Sequence, residues 1–538
     1  MKSKIQSVLP ITFALCVASA SAAVLPPPPG THDSGPVPGI IIDSSPDFAT
    51  TYVGSPSIAR LADGTLVASH DWFGKSPLNH LTVILTSTDN GKSWRKQAEF
   101  PFFWGNLFVH NNTLYLLGMA RPYPAKSTAN EAPFSHLAIR KSTDAGKTWT
   151  TPDSPKTGLL RTDAIYHTAP CPVVIHKGRV WRAIETIMSP EETLKHTSIT
   201  GFGRNFQARV VSASVDADLL DAASWTLSDP FLFDYANWPV GTGFLEGNVV
   251  VAPDGRLVNI LRCQSTGLEK AILLDVSDDG KCLSSRGPAS QITFPGGAVK
   301  FTIRFDPVSK RYWTLSTQQK SPLANRNYLV LMASDDLVHW EQRAALLRHH
   351  DWKYHAFQYV DWIFDGDDIL YVSRTAWDNA HNAHDANHMT LHRAQNFRSL
   401  TTDAPWLGKN TIRQIETPNL IINGTFAATG ILKNGAKAFT NRPYTWLNVP
   451  EALDGWHYIL TPGGVQDTLC VVPKTDTTLH IIAPTSAKPA GWKPTGQILN
   501  YSDPNKAKAA ILSREVPKDQ RLEIPQPGFI GGILIWKE

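Results

Sequence analysis

The sequence predicts an all-β protein built around a β-propeller, in which six blades are visible as repeats. Six times an apolar strand, a tight polar turn and a second apolar strand precede a longer excursion. Asp-Gly and Asn-containing turns between apolar runs are a strong short-range signal of a β-hairpin. A repeat of roughly 50–75 residues made of hairpins is typical of a propeller, whose blades face a common centre. The turns are Ala62-Asp63-Gly64-Thr65, His110-Asn111-Asn112-Thr113, His176-Lys177-Gly178-Arg179, Pro253-Asp254-Gly255-Arg256, Asp306 to Arg311, and Asp365-Gly366-Asp367-Asp368.

The first 23 residues have the pattern of a secretory signal peptide. Lys2 and Lys4 precede an apolar run that ends near a small-residue cleavage site at Ala20-Ser21-Ala22. The run is too short to span a membrane. Removal of the two lysines lowers the net charge from +4 to about +2. We therefore expect a secreted, extracellular and monomeric protein without a nucleic acid or membrane partner.

A second recurring element follows the third strand of several blades. It reads Ser-x-Asp-x-Gly-x-Ser/Thr-Trp and is clearest at 87–94 and 142–149, with worn copies near 277–280, 334–340 and 214–225. It resembles the Asp-box of sialidase-like propellers. Asp accepts backbone N–H groups in the turn, Gly supplies a positive φ, and Trp packs between blades. The element indicates the fold class and has a structural role.

The chain divides into an N-terminal propeller and a C-terminal β-rich part. We expect the propeller domain over residues 24–405 and a β-rich domain over 406–538, where Pro and Gly punctuate short β-like runs. Residues 36–50 or 405–465 are candidates for a seventh blade, so the C-terminal part is able to contribute to closure. After the signal peptide four cysteines remain, and their pairing is not determined by the sequence: Cys171, Cys263, Cys282 and Cys470.

Polar side chains collect on one face of the predicted disc. The short A–B turns lie on one face, so the start of strand A, the end of strand B and the longer B–C loops lie on the other, where function is expected. We expect His70, His80 and His167 to be catalytic. The expected substrate-binding residues are Arg121, Glu185, Glu246, Asn248, Arg262, Lys300, His355, Gln358 and Arg374.

A cleft rich in cations and imidazoles suits an acidic sugar. Lys and Arg neutralise a carboxylate, and His transfers protons near neutral pH. Hydrolysis normally needs two flanking carboxylates, for which Glu185, Glu246 and Asp71 are the candidates. β-Elimination on a uronate needs a base, an acid and a cation, and His70 with an Arg or a metal ion fits that need better. The metal ligands are not predicted, and loop-ordering hydrogen bonds explain the cluster at 381–388 as well as a metal site does.

The propeller region resembles secreted enzymes that act on rhamnose–glucuronate caps, grouped as polysaccharide lyase family 42 and glycoside hydrolase family 145. The resemblance covers most of residues 50–400. The segments that carry it are Ser57-Ile58-Ala59-Arg60, Val67-Ala68-Ser69-His70-Asp71, His167-Thr168-Ala169-Pro170, Trp181-Arg182-Ala183-Ile184-Glu185, Glu246-Gly247-Asn248-Val249-Val250 and Ala380-His381-Asn382-Ala383-His384-Asp385-Ala386-Asn387-His388.

The resemblance implies a seven-bladed β-propeller with a C-terminal β-rich extension and a catalytic His at His70. It implies a lyase that releases L-rhamnose from L-rhamnose-α-1,4-D-glucuronate caps of arabinogalactan and leaves a 4,5-unsaturated glucuronate. Similar lyases hold a calcium ion, and the hydrolase relatives imply catalysis on the less usual face of the disc. The partner would be an acidic plant glycan.

Three alternatives stay open. The first is an α-L-rhamnosidase that hydrolyses the same linkage. The second is an exo-sialidase, ranked lower because Ser57 stands where the first-blade Arg-Ile-Pro element of sialidases has its Arg, and because no Tyr–Glu nucleophile pair is recognisable. The third is a glycan-binding lectin without catalysis.

Overall fold

The described part of the chain is almost entirely β-sheet, which confirms the predicted all-β class. Among the described residues there is one α-helix, α1 (Pro190–His196), together with short 3-10 helices at Ala222–Ser224, Gly287–Ser290, Phe397–Ser399 and Glu451–Leu453. None of these helices is long and apolar enough to cross a membrane. The computed structural model describes residues 36–120, 135–265, 269–318, 326–349, 351–401, 413–424, 428–439, 442–461, 467–486, 489–520, 522–526 and 532–537.

Six antiparallel sheets follow one another along residues 40–394, and each forms one blade. The first strand of the described residues is β1 (Ile40–Ser44), which belongs to blade 6. Blade 1 contains β2 (Thr51–Val53), β3 (Ser57–Arg60), β4 (Leu66–Gly74), β5 (Leu81–Ser87) and β6 (Arg95–Pro101). Blade 2 contains β7 (Phe103–His110), β8 (Thr113–Ala120), β9 (His136–Ser142) and β10 (Leu159–Arg161). Blade 3 contains β11 (Ile165–His167), β12 (Val174–His176), β13 (Arg179–Ile187), β14 (Phe206–Ser214) and β15 (Trp225–Leu227).

The second half of the ring repeats this pattern. Blade 4 contains β16 (Phe244–Val251), β17 (Leu257–Cys263), β18 (Lys270–Val276), β19 (Leu283–Ser284) and β20 (Gln291–Thr293). Blade 5 contains β21 (Thr302–Asp306), β22 (Arg311–Thr317), β23 (Tyr328–Ser334) and β24 (Glu341–Arg348). Blade 6 contains β25 (Ala356–Asp365), β26 (Asp368–Ala376), β27 (His388–Ala394) and the N-terminal strand β1.

Within the described residues the ring closes with six blades, and no seventh blade is seen there. The inner strand β25 of blade 6 lies against β3 of blade 1, and the Oγ of Ser57 donates to Asp361 Oδ2 at 2.8 Å across this seam. Residues 36–50 do not form a blade of their own. Instead, β1 pairs antiparallel with β27 as the fourth strand of blade 6.

All six predicted hairpins and the clearest Asp-boxes are confirmed. In the first Asp-box Gly91 has a φ of 86°, and its N–H donates to Ser87 Oγ at 2.9 Å. The indole of Trp94 donates back to the carbonyl of Gly91 at 3.1 Å. These turns follow the third strands of their blades, and Gly91 packs against Leu391 of blade 6, which agrees with a structural role.

Apolar side chains fill the spaces between neighbouring blades rather than a single central core. One cluster joins blades 5 and 6 through Trp313, Leu331, Trp362 and Tyr371, and another joins blades 2 and 3. Because each interface is closely packed, the inner strands are held at fixed positions around the axis. The ring therefore offers a rigid frame for polar side chains at its centre.

The described C-terminal residues form two further sheets that pair only among themselves. The first contains β28 (Arg413–Glu416), β29 (Leu420–Gly424), β33 (Asp467–Pro473) and β37 (Leu522–Gln526). The second contains β30 (Ala428–Ile431), β31 (Trp446–Leu447), β32 (His457–Leu460), β34 (Thr477–Pro484), β35 (Lys493–Tyr501), β36 (Lys508–Val516) and β38 (Ile533–Trp536). Ile422, Leu469, Ile481 and Leu534 share one core between the two sheets, as in a β-sandwich.

The cysteines form no disulfide within the described residues. Cys171 and Cys263 are buried thiols in the propeller, and Cys282 is an exposed thiol. Burial raises the pKa of both Cys171 and Cys263 to about 12, so neither is a reactive thiolate. The side chain of Cys470 lies outside the described residues.

Candidate functional site

Three inner strands carry a β-bulge at the same place, and each bulge turns one side chain toward the axis. The pairing register shifts between Phe103 and Asn106 in β7, between Leu245 and Asn248 in β16, and between Gln358 and Asp361 in β25. Within these bulges Trp104, Glu246 and Tyr359 have φ values of 54°, 58° and 54°. Such left-handed conformations are uncommon for residues other than Gly and cluster at functional sites.

A polar residue ends each bulge and anchors it to the neighbouring blade. Asn106 Nδ2 donates to Ser57 Oγ at 2.9 Å, and Asn248 Oδ1 accepts from the N–H of Ile303 at 3.0 Å. The matching residue of blade 6, Asp361, accepts from Ser57 and from Arg304 at 3.1 Å. These bonds hold the bulges in place around the axis, so the side chains turned inward are fixed before any ligand binds.

The inward side chains border a central cavity of about 550 Å³ on the predicted functional face. This volume falls within the range of small-molecule and cofactor sites. The lining residues come from blades 1, 2, 3, 4, 5 and 6, including the loops that connect their strands. They are Gly54, Ser55, Asp71, Phe73, Gly74, Asn79, His80, Trp104, His167, Thr168, Ala169, Phe202, Leu245, Glu246, Arg262, Gln264, Arg326, Tyr359, Arg374 and His384.

A tyrosine and a glutamate form a hydrogen-bonded pair at the bottom of this cavity. The phenol of Tyr359 donates to Glu246 Oε1 at 2.7 Å, and Arg262 Nη1 lies 2.8 Å from Glu246 Oε2. Burial alone would raise the pKa of Glu246, but Arg262 and the Tyr359 hydrogen bond outweigh it, so that pKa lies below its usual range. Burial and the charge of Glu246 raise the pKa of Tyr359. In the resting pair Glu246 is therefore an ionised carboxylate that accepts a hydrogen bond from the neutral phenol of Tyr359.

Two further arginines flank Tyr359 without an acidic partner among the described residues. The guanidinium groups of Arg326 and Arg374 lie 5.5 and 5.1 Å from the centre of the Tyr359 ring. Arg326 donates to Gln358 Oε1, and Arg374 donates to the carbonyl of His384. Burial lowers the pKa of Arg374 to about 10, which leaves it charged at neutral pH. The buried Nε of Arg374 has no hydrogen-bond partner in the described structure.

Asp71 adds a carboxyl group with an unusual proton affinity. Its Oδ1 is buried and has no hydrogen-bond partner among the described residues. Burial raises the pKa of Asp71 to about 6, although Ser55, His70 and Arg374 act in the opposite direction. A carboxyl group with such a pKa holds a proton in mildly acidic solution, as a general acid requires.

His167 is fixed in orientation by a buried glutamate. Its Nδ1 lies 2.9 Å from Glu185 Oε2, and Glu185 Oε1 accepts the N–H of Gly247 at 3.2 Å. Because an ionised carboxylate only accepts hydrogen bonds, Nδ1 carries a proton and Nε2 is left for the cavity. Glu185 has no exposed side-chain surface, so it positions His167 rather than contacting a ligand.

Five of the residues predicted from the sequence meet in the cavity, and five others are buried elsewhere in the propeller. His80, His167, Glu246, Arg262 and Arg374 line it, and Glu185 lies behind His167. Arg121 lies outside the described residues. The remaining predicted residues, His70, Asn248, Lys300, His355 and Gln358, are buried in contacts between or within blades.

The prediction of His70 as a catalytic residue that touches substrate is not compatible with its position. Its imidazole has no exposed surface, and Nε2 lies 2.9 Å from Asp43 Oδ2 of β1. Successive residues of a strand point to opposite faces, so the side chain of Asp71 enters the cavity and that of His70 enters the blade interface.

The other four buried residues have structural roles that replace the predicted substrate contacts. Lys300 Nζ donates to Thr302 and to the carbonyl of Val360, both at 2.7 Å. His355 lies between Asp351 and Asp378, whose carboxylates outweigh the effect of burial and raise its pKa. Asn248 anchors a bulge, and Gln358 accepts a hydrogen bond from Arg326.

Sequence reasoning missed Tyr359, Arg326 and Trp104. The sequence shows no recognisable Tyr–Glu pair because Glu246 and Tyr359 lie in different blades and meet only across the axis. A signal was available in the matching segments Phe103-Trp104-Gly105-Asn106, Leu245-Glu246-Gly247-Asn248 and Gln358-Tyr359-Val360-Asp361. Their shared last polar residue marks the bulge, and the inward residue stands two positions before it.

The group at 381–388 is held by hydrogen bonds within itself. Asp385 accepts from His381 and from His384, each at 2.7 Å through the ring Nδ1. No group of three or more His, Cys, Asp or Glu side chains in the described part of the chain is arranged to hold a metal ion. The calcium ion that the resemblance implies stays a prediction.

A second cavity of about 590 Å³ lies at the opposite, A–B turn end of the ring. Its walls are mostly apolar, with Val249, Val251, Ile303, Phe305 and Phe364. It is slightly larger than the central cavity, but no pair of titratable groups with shifted pKa values borders it. The central cavity is therefore the better candidate for chemistry.

No family model and no curated protein matches this sequence. Similar solved structures include a protein of unknown function from Dyadobacter fermentans, with 15% identity over 66% of this chain and 97% of that chain and a TM-score of 0.44. An α-L-arabinanase from Penicillium chrysogenum has 13% identity over 68% of this chain and 99% of that chain, with a TM-score of 0.41. A Hadza microbial sialidase has 13% identity over 65% of this chain and 66% of that chain, with a TM-score of 0.44. Membership in the two families named above stays a prediction.

Proposed function

We propose that this protein is a carbohydrate-active enzyme that cleaves a glycosidic bond of an acidic sugar held in the central cavity. The observation that carries the proposal is a pair of arginines, the buried Arg374 and the half-buried Arg326, that flank Tyr359 and form no ion pair among the described residues. Buried charges are costly unless paired, and a planar guanidinium matches a carboxylate with two hydrogen bonds. A sugar carboxylate supplies the missing anion beside Tyr359 and Glu246.

Hydrolysis with a tyrosine nucleophile is the reaction that this set of groups supports best. The phenol oxygen of Tyr359 forms a bond to the anomeric carbon while Glu246 takes the phenol proton. The bond from that carbon to the leaving sugar breaks, and Asp71 gives its proton to the leaving oxygen. Water then attacks the same carbon and loses a proton to Asp71, and Glu246 returns its proton to the departing phenolate. Each group ends in its starting state.

A second candidate is the rhamnose–glucuronate lyase expected from the resemblance. The cluster of arginines favours it as well, because elimination develops negative charge next to the uronate carboxylate. Tyr359, with Glu246 as proton acceptor, would take the proton from C5 of glucuronate. The bond from C4 to the rhamnose oxygen would break, a C4–C5 double bond would form, and Asp71 would protonate the leaving oxygen. The base would thus be Tyr359 and not His70.

Product analysis separates the two reactions. The protein is incubated with gum arabic, with rhamnosyl-α-1,4-glucuronate and with aryl glycosides of glucuronate and of sialic acid. A reducing sugar without new ultraviolet absorbance indicates hydrolysis, and rhamnose with the absorbance of an unsaturated uronate indicates elimination. Binding without turnover by the active-site-intact protein would contradict both and favour the lectin. Turnover of neutral glycosides alone would contradict the acidic substrate.

The role of Tyr359 is tested in the same assay. We expect Tyr359→Phe to lower kcat by at least about 1,000-fold, because it removes the attacking oxygen or the base. Tyr354→Phe is a matched control, since Tyr354 is also buried in the same blade but does not line the cavity. Near-normal turnover by the Tyr359 variant would overturn the proposed chemistry.

A further inference from the structure

The central cavity has two chemically different walls. One wall, here called the arginine wall, consists of Arg262, Arg326 and Arg374 around the Tyr359–Glu246 pair. The other, here called the aromatic wall, consists of Trp104, His167 and Phe202. The arginine wall matches an anion, whereas the aromatic wall offers flat apolar surface and an imidazole. A ligand with one charged and one neutral part fits this division.

Trp104 is placed at the centre of the aromatic wall by the bulge in β7. Its backbone has a φ of 54°, which is strained for a bulky side chain. The indole packs edge-on against the ring of Phe103, with 4.8 Å between centroids and an angle of 72°. The ring of His167 lies 4.6 Å away on another side. These neighbours fix the indole, which stays partly exposed to the cavity.

His167 and Phe202 extend the wall away from the reacting groups. Nδ1 of His167 is committed to Glu185, and its Nε2 has no hydrogen-bond partner among the described residues. Phe206 packs edge-on against His167 at 4.8 Å and against Phe202 at 5.5 Å. Phe202 is 58% exposed, so its ring is accessible to a ligand at the rim of the cavity. Together they continue an apolar surface from Trp104 to the rim.

We infer that the aromatic wall is a binding subsite for the neutral sugar on the other side of the scissile bond. This inference rests on the proposed function and extends it to the second half of the substrate. The C–H face of a neutral pyranose stacks on the indole of Trp104, where both apolar surfaces leave water. A sugar hydroxyl forms a hydrogen bond with Nε2 of His167, whose ring Glu185 holds in orientation through Nδ1. The aromatic wall thus holds the neutral half of a substrate whose acidic half lies on the arginine wall.

Calorimetric titration of a protein that binds without turnover tests the subsite. The Tyr359→Phe protein is titrated with free glucuronate, which probes the arginine wall, and with rhamnosyl-α-1,4-glucuronate, which probes both walls. The same titrations are repeated after adding Trp104→Leu. Trp149→Leu is the matched control, because Trp149 belongs to an Asp-box and does not line the cavity. Addition of Trp104→Phe gives a milder variant that keeps an aromatic ring in case the leucine variant does not fold.

We expect the Tyr359→Phe protein, in which Trp104 is intact, to bind the disaccharide more tightly than glucuronate. Trp104→Leu should weaken the disaccharide about ten-fold and leave glucuronate unchanged, while Trp104→Phe should have a smaller effect. Equal loss for both ligands, or loss for neither, would overturn the subsite. If the Tyr359→Phe protein with intact Trp104 bound neither ligand, that result would instead overturn the proposed function, on which the subsite depends. Trp149→Leu should leave both affinities unchanged.

Discussion

At the scale of single residues, the site depends on where two neighbouring groups place their protons. Glu246 stays ionised because Arg262 lies 2.8 Å from one oxygen and Tyr359 donates to the other. The variant Glu246→Gln keeps the size of the side chain and removes its ability to take the phenol proton. We expect kcat to fall by at least about 100-fold, since proton transfer of this kind contributes roughly 10²–10⁴-fold.

A matched control for Glu246→Gln is Glu341→Gln, the same exchange at an exposed residue of β24 that does not line the cavity. Kinetics with the substrate identified by product analysis give the comparison. A Glu246→Gln protein with an unchanged kcat would mean that another group accepts the proton of Tyr359.

The pKa of Asp71 gives the reaction an acidic pH range. Burial raises the pKa of Asp71 to about 6, and the pKa of Glu246 lies below its usual range. The reaction needs Asp71 protonated and Glu246 ionised. We therefore expect kcat/KM of the free enzyme to fall as pH rises above about 6, and to fall again only in strong acid. Asp71→Asn should lower kcat/KM and remove the fall above pH 6, measured with a pH series. A profile that rises through pH 7 would contradict Asp71 as the acid.

Residue types alone identified part of this site. The residues His167, Glu246, Arg262 and Arg374 were predictable because each stands at a strand end on the functional face. The adjacent pair His70 and Asp71 was not resolved, since both stand at the same strand end and only the alternation of the strand decides which one faces the cavity. Tyr359 was missed because a bulge shifts that alternation by one residue, so that its neighbour Gln358 appeared to face inward.

At the scale of elements, the bulges decide which side chains reach the cavity. The bulge in β16 brings Gly247 close to the next strand, β17, where an added Cβ would lie 2.3 Å from Asn259 Oδ1. The same Cβ would lie 3.0 Å from Ala183 Cβ of β13 in blade 3. The variant Gly247→Ala must shift the bulge and with it Glu246. Because a displacement of about 1 Å costs roughly 100-fold in rate, we expect kcat to fall by about that factor.

Gly430→Ala separates displacement of the site from a general loss of stability. An added Cβ at Gly430 would lie 2.4 Å from the Tyr458 ring in a C-terminal sheet, a clash of similar severity outside the propeller. We expect Gly430→Ala to keep the kcat of the unmodified protein when both variants are assayed as folded protein. An equal loss of activity in both would contradict the role of the bulge.

The repeating elements were largely predictable and the bulges were not. Hairpins such as Ala62 to Thr65 follow local rules, because Asp and Gly favour a tight turn wherever the chain goes next. The bulges depend on contacts between blades, such as the bond from Asn106 to Ser57, which no local pattern contains. The resemblance implies seven blades, while the sequence itself presents six repeats, and the described residues contain six blades.

At the scale of the whole molecule, the N-terminal strand holds the ring closed. β1 pairs with β27 in blade 6, and Asp43 of β1 lies 2.9 Å from His70 of blade 1. The side chain predicted to be catalytic thus joins the first and last blades. Because β1 completes blade 6 and also contacts blade 1, the two ends of the propeller must fold together. The ring should therefore unfold as one cooperative unit.

The contact between Asp43 and His70 should make the stability of the ring depend on pH. Burial alone would raise the pKa of Asp43, but the hydrogen bond and the charge of His70 outweigh it, so that pKa lies below its usual value. A group whose pKa is depressed by folding stabilises the fold above its unfolded pKa of about 3.9, and loses this contribution as pH falls through the folded pKa. We expect Asp43→Asn to lower the free energy of unfolding by about 1–3 kcal/mol at pH 7.

Denaturant titration across a pH series measures this difference between the unmodified protein and Asp43→Asn. The two curves should converge in acid, because protonation of Asp43 removes from the unmodified protein the charge that the variant lacks already. The exposed Asp216 provides a control, and Asp216→Asn should unfold at the same denaturant concentration as the unmodified protein at every pH. A difference in the free energy of unfolding that stays constant or grows at low pH would mean that Asp43 stabilises the closed ring by packing alone, without its charge interaction with His70.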